Sequence, residues 1–306
     1  MRPCTEEPPS PRWPRCARPL VKPAAAQAPG APLLARAIPV SGESLPVVGV
    51  GTWQTFDVGA GSAARAPLRE VLRTFAAAGG RVIDSSPMYG ASEAVTGDLS
   101  AELNLAGRLF VATKVWTSGR EAGIAQMEAS MAKLRAPKID LMQVHNLVDV
   151  ATHTRTLRDW KAQGRIRYLG ITHYTASAYA EVERVLQGGQ YDFLQINYSL
   201  GEPESERRLL PLAAEKKVAV IVNRPFAEGA MFRKVRGNPL PAWAAEFGAA
   251  SWAQYFLKWI VSHPAVTCAI PGTGKPEHMA DNLAAARGPL PDAAMRRRMA
   301  QHYAAL

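Results

Sequence analysis

Eight short apolar runs alternate with eight stretches of helical length, and no other feature constrains the chain as strongly. The runs are VVGVGTW (47–53), RVIDSS (81–86), LFVATKV (109–115), IDLMQVH (139–145), IRYLGIT (166–172), DFLQINY (192–198), VAVIVN (218–223) and VTCAIPG (266–272). Amphipathic stretches with a helical period lie near 65–78, 92–105, 121–135, 153–163, 176–188, 204–216, 250–262 and 276–287. Glycines close several of them, as in Ala78-Gly79-Gly80 and Gln163-Gly164. Such alternation predicts a parallel sheet covered by helices. Eight units within about 240 residues favour a closed (β/α)8 TIM barrel, an α/β fold, over an open sheet. An open dinucleotide-binding sheet carries G-x-G-x-x-G after its first strand. Gly49-Val50-Gly51 lacks the third glycine, so that reading fails. Ahead of the first run, two short extended segments flank Ser41-Gly42-Glu43 and predict an N-terminal β-hairpin.

The chain has 306 residues, 47% hydrophobic and 20% charged, which is ample for a sizeable core. No stretch approaches the ~20 consecutive apolar residues of a spanning helix, so no membrane insertion is expected. Residues 1–32 are dense in proline without apolar periodicity and read as a disordered tail, leaving the barrel to 33–306. Prolines interrupt every apolar run that could serve as a secretory signal. Cys4, Cys16 and Cys268 are too few and too scattered for a disulfide framework or a zinc site, and no metal is expected. A cytoplasmic location is compatible, with periplasmic export as the alternative. The net charge of +10 includes the run Arg296-Arg297-Arg298, read as solvated surface favouring anionic ligands. No window interleaves basic and aromatic residues as nucleic-acid binders do, so no nucleic-acid partner is expected.

In a barrel the chemistry sits at the carboxyl ends of the strands. Those ends carry Trp53, Asp84 with Tyr89 beyond, Lys114, His145, Thr172 with His173, Gln195 with Asn197, Asn223 with Arg224, and Thr273. Singly, each has a plain reading. Asp84 could cap the turn into Pro87, Lys114 could reach the barrel rim, His145 could be a core histidine, and Tyr89 a loop aromatic. Together they place an acid, a phenol, an amine and an imidazole on three successive strands at one face. A buried Lys or Asp is rare unless paired, so Asp84 and Lys114 are expected to pair. This set suits proton delivery to a carbonyl oxygen. A phenol is a poor acid at neutral pH; an adjacent ammonium lowers its pKa, and a carboxylate holds that ammonium in place. No side chain donates hydride, so a nicotinamide is implied. The stripe Trp252, Phe256, Trp259 and Ile260 reads as core.

At these residues the chain resembles the aldo-keto reductase superfamily. The matching segments are VVGVGTW, VIDSSPMYG, VATKVW, IDLMQVHN, LQINYSL and AIPGTGKPEHMADNL, in the family's order. The resemblance implies a barrel that binds NADPH, with NADH as the alternative, and that reduces small-molecule aldehydes or ketones. The family's tetrad falls on Asp84, Tyr89, Lys114 and His145, with Tyr89 as general acid, and Gln195 matches the residue that holds the nicotinamide carboxamide. Further cofactor contacts are implied for Thr52, Trp53, Thr172, His173, Asn223, Arg224, Phe226, Thr273, Lys275, His278 and Asn282. Trp53 and Trp116 fall where the family lines its substrate mouth. Three positions depart from the common pattern. Thr172-His173 replaces a Ser-Asn pair, Asn223-Arg224-Pro225-Phe226 replaces a stacking tyrosine, and Gly272 and His278 stand where Lys and Arg often hold the 2′-phosphate. A monomer or weak homo-oligomer is expected. Some members serve instead as cofactor-bound regulatory or interaction subunits, and this remains the alternative role.

Overall fold

The computed structural model describes residues 32–306. All but the last residue of the proline-rich tail read over 1–32 lies outside the described residues.

The hairpin comes first. Strands β1 (Ala35–Ala37) and β2 (Ser44–Pro46) pair antiparallel, with Ala35 opposite Pro46 and Ala37 opposite Ser44. Gly42 turns the chain at φ +75°, a left-handed conformation that glycine adopts without strain. Eight parallel strands follow in chain order: β3 (Val50–Gly51), β4 (Val82–Asp84), β5 (Phe110–Val115), β6 (Ile139–His145), β7 (Ile166–Thr172), β8 (Phe193–Asn197), β9 (Ala219–Asn223) and β10 (Val266–Ala269). Bridges Val48 to Ala269 and Gly51 to Gly272 join the last strand to the first and close the barrel. The helices are α1 (Ser62–Ala77), α2 (Ser92–Glu102), α3 (Arg120–Lys133), α4 (Val150–Ala162), α5 (Tyr179–Gly188), α6 (Leu209–Glu215), α7 (Ala230–Lys234), α8 (Trp252–Val261), α9 (Pro276–Ala284) and α10 (Ala293–Ala305). Among the described residues no helix is long and apolar enough to cross a membrane.

Strand alternation sorts the side chains into two cores. Outward residues such as Met142, Val144, Ile171, Leu194, Ile196, Val220 and Val222 pack under the helices. Each contributes on the order of 1.5–3 kcal/mol when fully buried. Inward residues Val82, Phe110, Leu141, Tyr168, Phe193 and Ile221 fill the lower barrel, and Ile38 and Leu45 of the hairpin join them from below. The rings of Phe110, Tyr168 and Phe193 lie 5.4–5.9 Å apart, centre to centre. Glu43 at the hairpin tip fastens this plug, accepting from Tyr168 at 3.0 Å and pairing with Arg81 and Arg167. The floor is thus an apolar stack with an ion-paired tip beneath it.

Two α-helices were not read from the sequence, α7 and α10. In α10, Asp292 caps the first turn by accepting from the Met295 amide at 2.8 Å, and Met299 and Tyr303 are buried one turn apart. Arg296 corrects the reading of its arginine run as solvated. Its guanidinium donates to Tyr198 at 2.7 Å and Ser262 at 3.0 Å, pairs with Glu206, and lies 4.3 Å from the Trp259 ring centre. The stripe on α8 is core as expected, with Phe256 and Ile260 fully buried. The runs read at 47–53 and 266–272 shorten to β3 and β10. Gly49 and Gly51 press directly against neighbouring backbone, and a register shift interrupts β10 between Val266 and Cys268.

Candidate active site

The inward alternation that fills the floor with aromatics turns polar at the upper ends of the strands. Asp84, Lys114, Gln143, His145, Thr172 and Gln195 are all inward and buried there. The Lys114 ammonium donates to Asp84 Oδ2 at 2.6 Å and to the Ser85 carbonyl at 2.7 Å. Asp84 Oδ1 accepts from Gln195 Nε2 at 2.8 Å and from Gln143 Nε2 at 3.3 Å. A buried carboxylate with three donors is satisfied, and the expected pairing with Lys114 is present. Burial is the largest single influence on Lys114 and would depress its pKa, but the charges and hydrogen bonds of Asp84 and Tyr89 together outweigh it and the net shift is upward. Lys114 is an ammonium at all ordinary pH.

Tyr89 sits on the loop after β4, with the Lys114 nitrogen 5.0 Å from its ring centre. Its amide donates to the Ser86 carbonyl at 3.0 Å, closing a tight turn. Gly90 follows at φ +57°, where a side chain would also collide with the Asp57 carboxylate. Asp57 in turn accepts from the Ala91 amide at 2.8 Å and fixes the loop. The sequence reading expected the ammonium to lower the phenol pKa. In the structure burial dominates and raises it; the charge of Lys114 pulls downward without prevailing, and Asp84 adds to the rise. The phenol is therefore protonated through the neutral range.

His145 lies edge-to-face against Tyr89, with ring centres 6.1 Å apart. Burial lowers its pKa to about 3, and the charges of Lys114 and His173 add to the shift. The sign of the stability effect follows. Between about 3 and the ordinary 6.5, the unfolded chain binds a proton that the folded chain refuses. Stability from this group is thus full above the upper value and lost as pH falls towards the lower. Between about pH 6 and 4, unfolding free energy should fall about 1.4 kcal/mol per pH unit more steeply in the natural chain than in His145→Gln. Denaturant titrations at several pH values measure it, and parallel slopes would refute it.

Above these groups opens a cleft of about 580 Å³. Thr52, Trp53, Tyr89, Trp116, His145, Thr172, Gln195, Asn223, Arg224 and Phe226 all line it. Trp53, Met88, Trp116, Tyr174 and Phe232, five of the seven large apolar side chains exposed among the described residues, stand on its walls. Trp116 is held firmly, because Gln126 on α3 accepts from its amide at 2.6 Å and donates to its carbonyl at 3.1 Å. A second cleft of about 610 Å³, around Lys161 and Asp192, lies by the amino ends of β8 and β9 and contains none of these groups.

Other residues singled out in the sequence fall elsewhere. His173 does not line the cleft; its Nδ1 accepts from the Tyr174 amide at 3.0 Å. Beyond the cleft, Thr273 and Lys275 lie on the β10–α9 turn and His278 and Asn282 on α9 itself, with Lys275 and His278 exposed and Thr273 and Asn282 buried. Arg224 already faces two carboxylates, Glu202 at 3.3 Å and Glu228 at 3.5 Å. Gln143, Ser86, Met88, Tyr174 and Phe232 were missed. Gln143 was within reach, since alternation along β6 puts it on the same face as His145.

Comparison with known proteins accords with this architecture. The model of the Aldo/keto reductase family matches residues 47–302. The chain belongs to that family. As an aldo/keto reductase family member it is an oxidoreductase. It is 30% identical to "Methylglyoxal reductase YeaE" of Escherichia coli (strain K12) over 248 residues, 79% of this chain and 85% of that protein. Two crystal structures of Klebsiella pneumoniae aldo-keto reductases share the fold. One, in complex with NADP and acetate, has a TM-score of 0.73 at 24% identity, covering 86% of this chain and 93% of its own. The other, in complex with NADPH, has a TM-score of 0.72 at 25% identity, covering 86% and 92%.

Proposed function

We propose that this family member reduces aldehyde or ketone carbonyls to alcohols with NADPH, Tyr89 being the proton donor. The observation that carries the reading is the convergence of Asp84, Tyr89 and His145 on one aromatic-walled cleft, with Lys114 buried beneath them. A bound nicotinamide supplies the hydride that no side chain can. The chain's own groups do the rest. Tyr89 arrives protonated, as a donor must, and Lys114 stabilises the phenolate left when the proton moves to the carbonyl oxygen. Asp84 and the two glutamines hold Lys114 charged and aimed. His145, neutral at working pH, offers a hydrogen bond that orients the carbonyl. The exposed aromatics favour an apolar or aromatic substituent on the substrate.

The residues present suit the cofactor. Among the described residues the Asn223 side-chain oxygen, buried on the cleft wall, has no partner, although its amide donates to the His173 carbonyl at 3.0 Å. An unmet acceptor is costly unless a donor such as a carboxamide reaches it. Gln195 spans the same region, accepting from Thr172 at 3.0 Å, and retains a free amide proton. The E. coli relative's name and the NADPH complex of the Klebsiella structure point the same way. Steady oxidation of NADPH by an aromatic aldehyde, with the alcohol recovered as product, tests the proposal. No turnover across a panel of aldehydes and ketones would refute it.

Lys275 is the cation proposed to meet the adenosine 2′-phosphate. Its own amide donates to Thr273 Oγ1 at 3.1 Å, which folds the turn at the start of α9. Lys275→Met should weaken NADPH about 10-fold and leave NADH nearly unchanged, the scale of one solvent-screened charged contact. Dissociation constants for both cofactors decide it. Equal losses would place the phosphate elsewhere.

A further inference from the structure

Ser86 stands between Asp84 and Tyr89 and is fully buried. Its hydroxyl oxygen lies 3.2 Å from His145 Nδ1. The same oxygen accepts a longer bond, 3.5 Å, from the Met88 amide. A serine hydroxyl has a single proton to give. The Met88 amide can only donate and takes one lone pair; were the second to accept from Nδ1, the buried hydroxyl proton would have no acceptor among the described residues, so the imidazole nitrogen is its acceptor. A neutral imidazole carries one N–H and one acceptor nitrogen, and the bond made by one nitrogen decides the state of the other. Among the described residues His145 Nε2 has no hydrogen-bond partner, and the residue lines the cleft.

The geometry points to Ser86 as a positioning residue that donates to His145 Nδ1, fixing the imidazole as the Nε2–H tautomer and turning that N–H towards the substrate carbonyl. The low pKa of His145 is consistent with this, since a neutral ring can be sorted by tautomer whereas an imidazolium cannot. The opposite tautomer would present a lone pair to the carbonyl oxygen, and two acceptors repel. Ser86 therefore acts one step removed from the reacting atoms. The consequence for turnover rests on the reductase reading; the hydrogen bond itself does not.

Long-range 1H–15N spectra of the natural chain test the tautomer directly. The expected result is an unprotonated, hydrogen-bonded Nδ1 and a protonated Nε2 for His145. Ser86→Ala should shift the Nδ1 resonance and lower turnover about 3- to 10-fold, the scale of one neutral hydrogen bond, with NADPH affinity unchanged. Ser86→Cys nearly keeps the shape but replaces the hydroxyl with a weak donor, and should behave like the alanine variant. A proton found on Nδ1, a fully active Ser86→Cys, or a Ser86→Ala with normal turnover would each overturn the assignment. A natural chain that reduces no carbonyl yet shows the expected spectrum would refute the reductase reading and leave the tautomer assignment standing.

Discussion

Replacing Tyr89 with phenylalanine is expected to lower the rate of carbonyl reduction about 100-fold or more, the scale typical of general acid catalysis. The phenol is the protonated group next to the buried ammonium, and the ring that remains cannot supply a proton. Cofactor affinity should change little, so the loss belongs to turnover rather than binding. Single-turnover measurements isolate the chemical step. Near-normal rates there would remove Tyr89 from the role.

Lys114→Met should act on two properties together. Removing one partner of a buried ion pair leaves an uncompensated charge and costs about 3–5 kcal/mol. Asp84 is 2% exposed, and water cannot replace the lost ammonium. Turnover should collapse as well, because nothing then stabilises the phenolate. The double variant Asp84→Asn/Lys114→Met separates the effects. It should recover part of the stability, since no buried charge remains, and none of the activity. Denaturant midpoints and turnover measured on the same preparations check both. A single variant as stable as the natural chain would mean that the pair is not buried as described.

Much of this was legible because buried parallel strands write continuous apolar runs. The runs at 139–145 and 166–172 coincide end to end with β6 and β7. The polar residues closing such runs stood out because burial penalises them, and the Asp84–Lys114 bond follows from that penalty. What remained hidden depends on approach between distant segments. Ser86 meets His145 through the angle at which a loop leaves β4, and no local pattern encodes that angle. Arg296 read as surface because a charged run looks solvated until Glu206 and Tyr198 arrive from elsewhere in the chain. The phenol's shift was misjudged for a related reason: sequence names the neighbouring ammonium but not the depth of burial that outweighs it.

The apolar floor has a consequence for the timing of catalysis. Each proposed turnover leaves Tyr89 without its proton, and that proton must be replaced before the next. Beneath the polar tier lie Phe110, Tyr168 and Phe193, with Ile38 and Leu45 closing the base, an apolar stack that disfavours a chain of water from below. On the proposed mechanism, resupply is then expected through the mouth by which the alcohol product leaves. An apolar product lingering among Trp53, Trp116 and Phe232 would then delay both its successor and the recharging of the acid. Vacating the doorway and rearming the phenol become one event.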